Sequence, residues 1–246
     1  MLTSPAYKHV LYASMVDSKV IVLPGDAIPL AVGNDIKLGP GTYSGGGREE
    51  GSSVFVKPGI LRRKDRDGSS SFWVNTQHKR YVPSEGEKVI GVVLRTGRVY
   101  RVDIGASQNA SLPELAFEGA TKRNKPIVQV GDLVFGSLCQ ADPDFEPEMT
   151  CVDSSGRASG MGLLKKPGCV ISCTLSLCRR LLSKQCAVME ELQKHYKFEC
   201  VVGLNGRVWL SAPTLMQTII IRNCIKSSEF MSEDSIKEMV RQAVLT

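Results

Sequence analysis

The chain has 246 residues, 42% of them hydrophobic, and 31 Lys and Arg against 25 Asp and Glu give it a net charge of +6. That is more chain than one compact unit usually holds, and enough apolar material for packed cores, so two or three domains are expected. No apolar run reaches the roughly 18 residues a membrane-spanning helix needs, and stretches such as Thr218 to Ile221 stop at Arg222, so a soluble chain is predicted.

At the N-terminus VLYASMV, behind Lys8 and His9, is too short for a convincing signal peptide, and secretion is not expected. Residues 1–84 carry a net +4 and read as short strands cut by turns: SKVIVLPGD, IKLGPGTY, SVFVKPGILRR and SFWVNTQHKRYVP. Pro24-Gly25, Pro40-Gly41, Pro58-Gly59 and Asp67-Gly68 punctuate them, which predicts a small β domain with SGGGREEGSS as a mobile loop. Nothing here has catalytic spacing.

Residues 85–156 carry a net −4, unevenly placed. All the basic residues lie between Lys88 and Lys125, whereas Asp132 to Asp153 holds six acids and no base, so one part of this unit can face a polyanion and another cannot. EKVIGVVLRTGRVYRVDIG reads as two strands around Thr96-Gly97. In the second, Tyr100, Val102 and Ile104 alternate with Val99, Arg101 and Asp103, which predicts one buried and one available face. Ala110 to Pro113, VQVGDLVFGSLCQA and MTCVD supply three more. Five short strands with a loop-rich segment between the third and fourth are what an S1 or OB-type barrel requires.

Residues 157–246, at net +6, change period. GCVISCTL reads as a strand, and Leu175, Cys178, Leu182, Cys186, Met189 and Leu192 then recur at helical spacing, with Ser183 as the expected cap of a second short helix. KFECVVGL and RVWLSA are strands, Pro213 opens a third helix, and MSEDSIKEMVRQAV forms a fourth behind Ser232. The order β, α, α, β, β, α, α predicts a KH-like α/β sandwich. The fold class is thus mixed β and α+β: a small N-terminal β domain (1–84), a five-stranded S1/OB-type barrel (85–156) and a KH-like domain (157–246).

Eight cysteines fall in helical or strand-like apolar runs without a C-x-x-C pair, and His9, His78 and His195 stand apart from them and from one another. They read as small hydrophobes in a reducing compartment, with neither a disulfide framework nor a metal expected. The acids Asp142, Asp144, Glu146 and Glu148 invite a nuclease reading, since two-metal catalysis needs convergent carboxylates. Pro143 and Pro147 stiffen that run as an extended loop instead, so a solvated acidic loop or one facing a basic partner is the expectation.

KFECVVGLNGRVWLSAP contains a G-x-N-G at Gly203, Leu204, Asn205 and Gly206. A KH domain clamps four nucleotides with Gly-x-x-Gly between two helices. Here the flanks are strands, and where the clamp belongs, before Ala187, the sequence reads SKQC. Asn205-Gly206 therefore predicts a structural hairpin turn with positive φ at both residues, in a domain that holds protein rather than RNA. Trp209 follows as a core or interface anchor.

Taken together, GDLVFGSLCQADPDFEPEMTCVDSSGRASGMG, EGATKRNKP, FWVNTQHKRYVP and GLNGRVW resemble the cap-subunit family of the eukaryotic RNA exosome, closely from about residue 70 onward and more loosely through VIVLPGD. The resemblance implies a non-catalytic, cofactor-free subunit on a ring of RNase PH-like proteins beside other S1/KH cap subunits. It also implies guidance of single-stranded RNA toward a nuclease supplied elsewhere for 3′-to-5′ processing and decay, including ribosomal RNA maturation, and contact with exosome-associated nucleases and cofactors. Nuclear and nucleolar as well as cytoplasmic location is expected, with no membrane. Gly25 joins Trp209 as a structural or interface anchor. RNA contact is expected to be electrostatic, through Arg95, Arg98, Arg101, Lys122, Arg123 and Lys125, because the strands offer only Tyr100 for stacking and its alternation buries it. A free-standing S1/KH RNA-binding factor shares this fold and stays open as an alternative, as does, more remotely, the metal-dependent nuclease.

Overall fold

The protein's structure, a computed structural model, describes residues 20–28, 35–44, 53–66, 69–76, 80–142, 144–183 and 186–244. VLYASMV, most of SGGGREEGSS, the Asp67-Gly68 turn, His9 and His78 lie outside the described residues. The chain divides into two compact units, Met1–Gln77 and His78–Thr246.

The first unit holds β1 (Ile21–Val22), β2 (Asp35–Leu38), β3 (Thr42–Ser44), β4 (Ser53–Phe55), β5 (Gly59–Arg66) and β6 (Ser69–Asn75). Its main sheet has the order β1-β5-β6-β2, with β2 parallel to β6, and β3 pairs with β4. Period-two alternation sets the faces. In β6 Ser70, Phe72 and Val74 point inward, where Val22, Ile28 and Phe55 complete the core. Gly25 stands in the turn from Leu23 to Asp26, which Asp26 N–H closes on Leu23 O at 3.1 Å. Its φ of +90° is one that a side chain would strain.

The second unit begins with a closed barrel of β7 (Lys88–Arg95), β8 (Val99–Asp103), β9 (Ala110–Pro113), β10 (Leu133–Gln140) and β11 (Glu148–Thr150). The strand order β11-β9-β8-β7-β10 is closed by pairing of β11 with β10. Val89, Val93, Tyr100, Val102, Ile104, Leu112, Val134, Leu138 and Met149 fill the interior, all under one-tenth exposed. The barrel reaches past the bounds expected for it. Tyr81 is buried against the same core with its hydroxyl donating to Glu87 at 2.7 Å, and β12 (Gly162–Leu163) adds to β10 beyond the fifth strand.

A KH-like layer of helices on a sheet follows: β13 (Cys169–Ser172), α1 (Leu175–Leu181), α2 (Ala187–His195), β14 (Glu199–Val202), β15 (Arg207–Ser211), α3 (Leu215–Ser227), a 3-10 turn at Ser228–Phe230 and α4 (Glu233–Val244). The sheet order is β13-β15-β14, antiparallel throughout. Ile171, Leu177, Leu192, Val208, Ile221, Ile225 and Val240 form its core. Threonines start two of the helices, Thr174 accepting from Leu177 N–H at 3.2 Å and Thr214 from Gln217 N–H at 3.3 Å. Ser183 does not cap the second helix. Cys186 occupies that position without a side-chain bond, its thiol buried in the core, so packing rather than capping fixes where α2 begins.

Candidate nucleic-acid interface

Strand direction sorts the barrel's loops into two ends. The turn at residues 96–98 and the long loop at 114–132 share one end, where Glu114 N–H donates to Arg98 O at 3.1 Å. The connections at 104–109 and 141–147 share the other, where Ser111 N–H meets Pro147 O at 2.8 Å. Five of the six predicted basic residues lie toward the first end, whereas Arg101 reaches the 141–147 loop at the other. Arg95, Arg98, Lys122 and Arg123 are exposed there and form no ion pair among the described residues.

The other two candidates are partnered. Arg101 stands opposite Arg95 in the β7–β8 register, an arrangement of like charges that costs energy, and its guanidinium turns away to Glu146. Lys125 donates to both carboxylate oxygens of Glu114, at 2.8 and 2.9 Å. Both lysine and arginine remain more than 40% exposed, and such surface pairs are worth about 0–1 kcal/mol, so a phosphate can compete for either cation. Tyr100 is 6% exposed, edge-on to Phe117 with ring centroids 6.3 Å apart. It cannot stack a base, and the four unpaired cations are left to act by charge.

At the opposite end the acids do not converge. Asp142 accepts from Asp144 N–H at 2.9 Å, Glu146 holds Arg101, and Glu148 lies in β11 against Gln140. No group of three or more His, Cys, Asp or Glu among the described residues is placed to hold a metal ion. Phe145, 62% exposed, overlooks a hollow of about 460 Å³ lined by Arg80, Val82, Gln108 and Pro147.

The G-x-N-G segment joins the KH-like domain to this same end of the barrel. Gly203–Gly206 connects β14 to β15, with Gly203 N–H on Arg207 O at 2.8 Å. Only Gly206 takes a positive φ, +82°, and Asn205 does not, contrary to the turn expected from the sequence. The reason is the side chain. Asn205 is 7% exposed; its Nδ2 donates to Ile90 O and Ile104 O, both at 2.8 Å, and its Oδ1 accepts from Ile90 N–H at 3.2 Å. Leu204 N–H adds a bond to Lys88 O at 2.9 Å. Close approach makes Gly203 obligatory too, since a Cβ there would stand 2.4 Å from Asn205 Oδ1 and 2.9 Å from Ile90 N.

Arg207 completes the junction, its guanidinium donating to Asp103 O and Asp103 Oδ2, both at 2.6 Å. Burial pushes the Asp103 carboxyl up, but the Arg207 guanidinium and the Gly105 N–H more than offset it and hold the group below its usual value. Sequence reasoning missed this pair and the task of Asn205, because residues more than 100 positions apart carry no local signal of each other. Trp209 is 3% exposed, packed so close to Gly168 that a Cβ there would meet its Nε1 at 2.5 Å.

Two family models match the chain: exosome complex component RRP40, S1 domain, over residues 81–162, and the KH domain over residues 168–216. The mouse protein named exosome complex component RRP40 is 46% identical over 207 residues, 83% of this chain and 74% of that protein. Its human namesake is 45% identical over 208 residues, with 83% and 74% covered, and that of Saccharomyces cerevisiae is 34% identical over 230 residues, with 90% and 95% covered. A crystal structure of an exosome complex RNA-binding protein shares the fold, with a TM-score of 0.56 at 20% identity over 67% of this chain and 97% of that one.

Proposed function

Since the chain belongs to the exosome complex component RRP40 family, we propose that it is a non-catalytic cap subunit of the RNA exosome. In this role it sits with other S1/KH subunits on the ring of RNase PH-like proteins, in nucleus, nucleolus and cytoplasm, and guides single-stranded RNA to a nuclease elsewhere in the complex for 3′-to-5′ processing and decay. The observation that carries the reading is the cluster of Arg95, Arg98, Lys122 and Arg123, exposed and without carboxylate partners among the described residues, at the barrel end opposite the KH junction. Polyanion binding needs such a cluster, whereas hydrolysis would need convergent carboxylates or a nucleophile with its base, and in the 141–147 loop Asp142 accepts from Asp144 N–H while Glu146 holds Arg101.

Without a stacking aromatic, affinity rests on counterion release and falls steeply with salt. A surface of this kind binds weakly alone and works where a channel already confines the strand. Charge reversal of Lys122 and Arg123 in a reconstituted complex is expected to reduce RNA crosslinking to this subunit while leaving the assembly intact. It should also flatten the salt dependence of binding by about 0.7 per lost phosphate contact. Unchanged crosslinking in an intact complex, or RNA cleavage by the isolated chain, would overturn the reading.

A further inference from the structure

Helix α3 has two unlike faces. Thr218, Ile221, Cys224 and Ile225 are buried in the KH-like core. On the opposite side Leu215 is 76% exposed, Met216 68% and Ile219 39%, and Arg222 and Lys226 continue the same side toward the C-terminal end. At about 100° per residue these five fall within an arc of roughly 120°, so they form one stripe, apolar in its first half and cationic in its second. Neither cation has an ion pair among the described residues.

We propose that this face docks on another protein subunit of the complex, at a surface that offers an aliphatic hollow beside a pair of carboxylates; the inference rests on the cap-subunit reading. Three neighbouring aliphatic and thioether side chains make a patch rather than the scattered exposure of an ordinary surface. Their spacing, Leu215 to Ile219 with Met216 alongside, is that of the anchors a helix sets into a groove. RNA is the poorer occupant. A phosphate would engage Arg222 and Lys226 but leave Leu215, Met216 and Ile219 in water, and none of them has a ring on which a base can stack. A second copy of this chain is poorer as well, because this face offers only cations and no carboxylate to meet them.

The test uses the full chain with the purified remaining subunits of the exosome. Leu215→Glu with Ile219→Glu is expected to weaken incorporation by about tenfold or more at any ionic strength, as loss of central apolar anchors does. Arg222→Glu with Lys226→Glu should weaken it less, and the deficit should shrink at high salt. Both pairs lie on an exposed face, so each variant alone should melt like the parent chain. A photo-crosslinking amino acid at the exposed Asn223, next to Arg222 on the same face, should yield an adduct with a peptide of another subunit rich in aliphatic residues and Asp or Glu. Incorporation of both variants at the parent's affinity, or an adduct with RNA or a second copy of this chain, overturns the proposal alone. Failure of the parent chain to incorporate overturns the cap-subunit reading as well.

Discussion

Replacing Asn205 by Ala should uncouple the barrel from the KH-like domain. The side chain makes three bonds to barrel backbone, two as donor at 2.8 Å and one as acceptor at 3.2 Å. Truncation leaves Ile90 N–H and Ile104 O without those partners and Ile90 O with only the long bond from Arg207 Nη1 at 3.5 Å, at a site where Asn205 itself is 7% exposed. Each buried polar group so orphaned costs about 1–3 kcal/mol, and partial hydration of the vacated space brings the total to about 3–5 kcal/mol. At roughly 2–4 °C per kcal/mol for a chain of this size, the melting midpoint should fall by about 6–20 °C. Asn205→Asp is the sharper control. It keeps the acceptor for Ile90 N–H but aims a carboxylate oxygen at two carbonyl oxygens, so it should be at least as destabilising as Ala despite its matching shape. Urea titration followed by circular dichroism and Trp fluorescence would measure both variants. If either variant unfolds within about 1 kcal/mol of the parent in one unchanged transition, the junction does not depend on this residue and the reasoning fails.

Three further changes probe the same architecture. Asp103→Asn weakens the pair with Arg207 by about 1–2 kcal/mol, a charge-assisted bond discounted for its partial exposure. The folded-state carboxyl lies below its ordinary 3.8, so its contribution is present above that pH and is lost as pH falls through the lower folded value. The difference in melting midpoint between parent and variant should therefore be constant at neutral pH and vanish on the acid side; a difference that persists in strong acid would refute the assignment. Gly203→Ala should cost about 1–3 kcal/mol by forcing Asn205 and Ile90 apart, measured by the same melts. Trp209→Arg places an unpaired charge where 3% of the residue is exposed and should cost about 3–5 kcal/mol, visible as lost soluble yield or lost incorporation into the complex; normal melting would place Trp209 outside the core.

The amino-acid sequence by itself determined the elements. Alternation in RVYRVDI put Tyr100, Val102 and Ile104 inside and Arg101 outside, because a strand has a period of two whatever it packs against. Helical spacing and the strand–turn–strand setting of G-x-N-G likewise needed only local stereochemistry, and charge counting separated the basic and acidic parts of the barrel. Partnerships across the fold were decided by tertiary structure alone. Arg101 and Lys125 look as free in sequence as Lys122, yet chain crossing brings Glu146 and Glu114 to them and leaves Lys122, Arg123, Arg95 and Arg98 without an ion pair among the described residues. Asn205 reads as a tip residue of positive φ until the barrel supplies three backbone groups for its amide, a stronger demand than the turn's own preference. Long-range hydrogen bonds and ion pairs depend on which loops the topology sets side by side, and no window of sequence contains that.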